Sequence, residues 1–149
     1  MSNDANSDGA AAARVALVTG ATRGIGQAIA DALAGAGTAT TEGGAATIDE
    51  RLAPQGGAGL RLDVADSDSI AGVLADVSER FSAPTVLVNN AGITRDNILL
   101  RMKEAEWQDV LDTNLTSVYR LSRALLRGMT KARWGRIVGI TSVVGVTGN

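Results

Sequence analysis

Short extended segments alternate with stretches of helical spacing along this chain, and that alternation restricts its fold more than any other feature. Val15–Thr19 is an apolar, partly β-branched run, and Ile25, Ala28, Ile29, Ala32 and Leu33 then recur at helical spacing before Gly35 and Gly37. Thr38–Thr41 reads as a weak strand with no large apolar residue, and 45–53 as a weak helix carrying Ile48 and Leu52, stopped at Pro54. Leu60–Leu62 is a short strand. Ser67–Phe81 is helical, with Ile70, Val73, Leu74 and Val77 on one face and Asp66 or Ser67 as its cap. Thr85–Val88 is a second buried strand. Glu104–Lys131 is a long helix whose inner face holds Trp107, Val110, Leu111, Leu115, Val118, Leu121, Leu125 and Met129. Arg136–Ile140 is the last strand and runs into Thr141 and Ser142. Strands regularly separated by helices build right-handed βαβ units, so the expected class is α/β with a doubly wound parallel sheet.

Composition narrows the chemistry. The 149 residues suit one domain, and 45% apolar with 20% charged residues suits a folded chain. Residues 1–13 are expected to be a disordered tail, with the domain spanning 14–149. With no Cys and no His, thiolate or imidazole metal sites and Ser-His-Asp triads are excluded. Acid–base work falls to Tyr, Lys, Asp or Glu, and there is one Tyr and two Lys. A net charge of −2 argues against a general nucleic-acid footprint. No run is long enough for a membrane helix, and the start lacks the basic and apolar parts of a secretory signal. The expectation is a cytoplasmic chain without nucleic-acid or membrane partners.

Between the first strand and the first helix lies Thr19-Gly-Ala-Thr-Arg-Gly-Ile-Gly26. Gly20 permits a sharp turn, Gly24 lets the backbone approach a pyrophosphate, and Gly26 lets the helix pack on the strand. The helix N-terminus offers free N–H groups to phosphate. The acidic residue that would hold a 2′-hydroxyl about 20 positions on is replaced by Thr40 and Thr41, with Glu42 adjacent, and Arg23 adds a cation. This favours the 2′-phosphate of NADP(H), although Arg23 also fits a solvated turn.

With this turn followed by Asn89-Asn90-Ala91-Gly92 at a later strand end, the sequence resembles the short-chain dehydrogenase/reductase family over residues 14–149. Within it, Ile93-Thr-Arg-Asp-Asn97, Arg101-Met-Lys103, Trp107, Thr113-Asn-Leu115 and Ser142-Val-Val-Gly145 are most similar to bacterial 3-oxoacyl-[acyl-carrier-protein] reductases. The resemblance implies a Rossmann-like fold that binds NADP(H). Gly20, Ala21, Thr22, Arg23, Ile25 and the flanking Gly24 and Gly26 would form the phosphate turn, and Thr40 would lie near the 2′-phosphate. Asp63 and Val64 would flank the adenine. Asn90, with Ala91 and Gly92, would border the cofactor ribose, and Asn90 would also fix the sheet centre. Ser142 would hydrogen-bond the substrate carbonyl, and Asn114 would hold a relay water, a position that equally suits a helix kink. Arg133 is a candidate contact for the carrier protein, or a cation at a helix C-terminus. The implied whole enzyme is a homotetramer that passes hydride to a 3-keto thioester in fatty-acid biosynthesis.

Two departures from the family pattern stand out. The family's Tyr-x-x-x-Lys belongs beyond Ser142, only seven residues follow Ser142, and none is Tyr or Lys. Tyr119 lies in the long helix, where it reads as a packing or interface residue. The expectation is a domain truncated after strand 5 and inactive by itself, with the last strand left as an apolar edge. The family also has a short apolar strand just after the first helix. Here the core of strand 2 is missing between Gly37 and Thr38, so that strand is expected to be defective. The alternatives are a non-catalytic Rossmann-like module that binds a dinucleotide or a partner, and a short-chain reductase of another ketone or alcohol.

Overall fold

The computed structural model describes residues 14–34, 38–41, 50 and 52–147. The proposed tail, the helix-closing glycines and most of the weak helix at 45–53 lie outside the described residues. The strands are β1 (Ala16–Thr19), β2 (Thr38–Thr41), β3 (Ala58–Leu60), β4 (Val86–Asn89) and β5 (Arg136–Gly139). The helices are α1 (Gly24–Leu33), α2 (Ser67–Arg80), α3 (Glu104–Leu111), α4 (Ser117–Ala132) and α5 (Val144–Thr147). All pairings are parallel, in the order β3-β2-β1-β4-β5. β1 thus sits at the centre, and the chain winds outward first one way and then the other. The carboxyl ends of β1 and β4 form the crevice where such sheets bind ligands.

Each central strand feeds two cores, because successive side chains point to opposite faces. Leu17 and Leu87 join Val73, Val77, Leu121, Leu125 and Met129 beneath α2 and α4. Val18 and Val88 join Ala21, Ala30, Ala34 and Leu52 on the α1 face. The Asp66 carboxylate accepts from the Asp68 N–H and caps α2, one of the two caps read from the sequence.

Several expectations need correction. α1 buries Gly26 and Ala30, with Ala34 just beyond, whereas Ile25 is 62% exposed and Ala28 and Ala32 face solvent. Small residues win this interface because the helix starts almost on top of β1. β3 begins two residues earlier than expected, and Leu62 is buried just beyond its end. The long helix is not continuous: a π segment, Asp112–Thr116, separates α3 from α4. Trp107 in α3, which buries none of its residues, and Leu115 within the π segment are exposed, while Leu121, Leu125 and Met129 of α4 are buried. β2 does form, pairing Thr38–Thr41 with β1 and Ala39–Thr41 with β3. Its sequence, Thr-Ala-Thr-Thr, carries no large apolar residue, and its side chains lie outside the described residues. β5 lies at the sheet edge with all four residues exposed, as expected for that strand. Among the described residues, no helix is long and apolar enough to cross a membrane.

Candidate functional site

The glycine turn is built against the end of β4. The Asn90 amide Nδ2 donates to the carbonyls of Thr19 (2.9 Å) and Gly20 (3.0 Å). Thr19 Oγ1 accepts the N–H groups of Asn90 and Ala91, each at 3.0 Å, and donates to the Val88 carbonyl at 3.3 Å. These bonds tie the ends of the two central strands together, which is the sheet-centre role read for Asn90.

Each turn glycine answers a different demand. Gly20 has φ +66°, and a Cβ there would lie 2.9 Å from the Asn90 Nδ2. Gly26 has no room at all, because a Cβ would overlap the same Nδ2 and the Gly20 carbonyl oxygen. Gly24 has φ +58° and nothing within 4 Å of where its Cβ would be. It combines a left-handed backbone with open space, which suits a backbone that a ligand approaches.

A cleft of about 910 Å³ opens over this turn. Arg23 and Ile25 line one end. Asn89 to Arg95 form its β4 side, and Asn114, Leu115 and Val118 come from the π segment and α4. Gly139, Ile140, Thr141 and Ser142 close the β5 side. Two guanidiniums, Arg23 and Arg95, border it, and among the described residues no lining residue is a carboxylate. Arg95 is 3.4 Å from the Asp109 carboxylate, so Arg23 carries less local compensation. The cleft therefore offers an anion a cation, a helix N-terminus and an open glycine backbone together.

The structure brings Asn114 and Ser142 to this cleft as well. Asn114 does not cap the kink; its Oδ1 accepts the Ile93 N–H and its Nδ2 donates to the Ile93 carbonyl, both at 2.8 Å. The side chain is thus committed to holding the loop after Gly92. Ser142 is exposed, and its Oγ accepts the Val144 N–H at 3.4 Å at the start of α5. Asp63 and Val64 border an adjoining hollow with Arg95, Asp109, Asp112 and Thr113. The Asp63 Oδ1 accepts the Ala65 N–H at 2.9 Å. Val64 borders that hollow while being buried in the core. Thr40 lies in β2 opposite Val18, and its side chain is outside the described residues.

The loop from Ile93 to Lys103 leaves the cleft and ends at α3. The Glu106 carboxylate accepts the Lys103 N–H at 2.8 Å, and this bond, with help from Asn97, holds its carboxyl below the ordinary value. Sequence reading missed Arg95, Asn89 and Leu115 as cleft residues. Arg95 and Leu115 were legible only as parts of motifs.

Comparison with known proteins decides the family. The profile described as short chain dehydrogenase matches residues 14–149. The chain belongs to the short-chain dehydrogenase family. Among the curated relatives of this short-chain dehydrogenase, the 3-oxoacyl-[acyl-carrier-protein] reductase FabG of Pseudomonas aeruginosa is 59% identical over 143 residues. The proteins of the same name from Vibrio harveyi and Escherichia coli are 56% and 54% identical over 141 residues. Each match covers 91% of this chain. The short-chain dehydrogenase described here spans 57–58% of the length of those relatives.

Proposed function

We propose that this chain forms the dinucleotide-binding part of an NADPH-dependent 3-oxoacyl-[acyl-carrier-protein] reductase. The observation that carries the reading is the cleft over the glycine turn: an open left-handed Gly24 and a cation in Arg23, with no carboxylate among the described residues that line it. The residues fit the cofactor. Gly20 to Gly26 would hold the pyrophosphate, with Arg23 toward a 2′-phosphate and Thr40 near it. Asn90, Ala91 and Gly92 would border a ribose, and Asp63 and Val64 the adenine. When bound, the reduced nicotinamide supplies hydride.

The chain's own residues do the holding. Asn90 keeps the phosphate turn closed against β4 through its two carbonyl contacts. Asn114 fixes the start of the loop that carries Arg95. In this reading Ser142 donates to a ketone oxygen at the open end of the cleft. The proton that completes the reduction needs a donor, and the sole tyrosine is not placed to give it. Tyr119 lines a separate groove between α2 and α4, and its hydroxyl accepts from Arg123 at 3.2 Å. We therefore infer that the 149 residues alone bind cofactor without turnover.

The substrate reading, a 3-keto thioester on an acyl carrier protein, rests on the names and high identity of the relatives. The same resemblance supports a cytoplasmic homotetramer. Arg133 stands at the C-terminus of α4, before β5, while Ser142 follows β5 at the other end of the strand. A carrier contact at Arg133 is thus separated from Ser142 by the full length of β5 within one protomer.

Cofactor choice has a direct test. Arg23→Ala is expected to weaken NADPH about tenfold while changing NADH by less than about twofold, since one exposed charge-assisted contact is lost. Fluorescence titration with both nucleotides measures it. Equal loss for the two contradicts a 2′-phosphate role for Arg23.

A further inference from the structure

Asn89 and Asn90 are neighbours with opposite fates. Every polar group of Asn90 named above has a partner on β1 or the glycine turn. Asn89 is 5% exposed, and neither its Nδ2 nor its Oδ1 has a hydrogen-bond partner among the described residues. Its backbone carbonyl is satisfied by the Ile140 N–H at 2.9 Å. Only the carboxamide is left over.

Its position says which part of a ligand it faces. Asn89 shares the strand face of Leu87, which packs with Leu121 and Leu125 of α4. It also lines the cleft with Asn114, Val118 and Ser142. It pairs with Gly139 on β5, the far side of β4 from the glycine turn on β1. Of the cleft's two ends, Asn89 therefore serves the one away from the pyrophosphate turn. The adjacent π segment is a backbone irregularity of the kind that collects at functional sites.

A buried carboxamide presents one acceptor and two donors. Left unmatched, it is a standing cost to the fold, whereas leucine, which has the same branched heavy-atom skeleton, has no polar group to leave unmatched. The matching partner both accepts and donates, as a sugar hydroxyl or a carboxamide does. We infer that Asn89 is a ligand-binding residue for the nicotinamide-riboside half of the dinucleotide. The cleft that it lines is the direction from which the partner arrives. This inference rests on the dinucleotide reading above.

Two probes separate the halves of the cofactor: NADPH carries both, and 2′,5′-ADP carries only the adenosine half. The Asn89→Leu chain is expected to melt at the same temperature as the wild type or higher. It is expected to bind NADPH roughly tenfold more weakly and to bind 2′,5′-ADP unchanged. Asn89→Asp, which keeps shape and an acceptor but loses the donors, is expected to show the same selective loss. A lower melting temperature for Asn89→Leu overturns the inference, because the carboxamide then has a partner within the fold. Equal loss of both ligands, or of neither, also overturns it. Failure of the wild-type chain to bind either nucleotide overturns the dinucleotide reading itself, and this inference with it.

Discussion

Gly26→Ala is expected to destabilise the chain by roughly 3 kcal/mol or more, from overpacking and from a displaced buried amide together. The added methyl overlaps the Gly20 carbonyl oxygen and the Asn90 Nδ2. That Nδ2 is the donor to both Thr19 and Gly20, so the same methyl pushes it off two acceptors. Native domains hold only about 5–15 kcal/mol in total, so much of the population should unfold well before the wild type does. Gly24→Ala is the matched control. Its Cβ meets nothing, and the cost is confined to a left-handed backbone, about 1–2 kcal/mol. Urea unfolding of the three chains measures the difference. A Gly26→Ala loss no larger than that of Gly24→Ala would contradict the close approach of α1 to β1.

The second large effect is on turnover. The 149-residue chain is expected to oxidise no NADPH with an acetoacetyl thioester above background. A chimera that continues from Ser142 into the remaining part of the Pseudomonas aeruginosa relative is expected to do so. General acid–base catalysis alone is worth about 10²–10⁴-fold, and the only tyrosine here faces another groove. Steady thioester-dependent oxidation by the 149 residues would show that a tyrosine donor is not needed. An inactive but folded chimera would count against Ser142 and Asn114 as parts of the site.

β1, β4 and β5 were legible because they are short, partly β-branched runs that end at glycine or asparagine, whereas β3, Ala-Gly-Leu, lacks that pattern and was read two residues late. The face of α2 was legible too, with Ile70, Val73 and Val77 buried as read, but those of α1 and of the long helical stretch were legible only in part. α1 buries glycine and alanine, which carry almost no periodic signal, while its larger Ile25 lines the cleft. In the Glu104–Lys131 stretch, α3 buries none of its residues, and the buried face begins only after the π segment. A single 3.6-residue period therefore assigned Trp107 and Leu115 to the wrong side. The phosphate turn could be read as it stands, because each glycine there answers a steric demand that spacing encodes. Asn114 could be found but not understood, since its partner, the backbone of Ile93, lies 21 residues away and contributes no side chain to the contact. Asn89 was legible only as a member of the Asn89-Asn90-Ala91-Gly92 motif. Only the alternation of the strand, which sends the two amides to different neighbours, separates them.

The central claim is that the cleft between the glycine turn and the end of β4 is the dinucleotide site. Titrating the isotopically labelled chain with NADPH and following its amide NMR shifts tests that claim most directly. Saturable shifts concentrated at Gly20–Gly26 and Asn89–Thr94 are the expected result. Shifts confined to the opposite end of the sheet around Arg14, Trp134 and Arg136, or no shift at all, would contradict it.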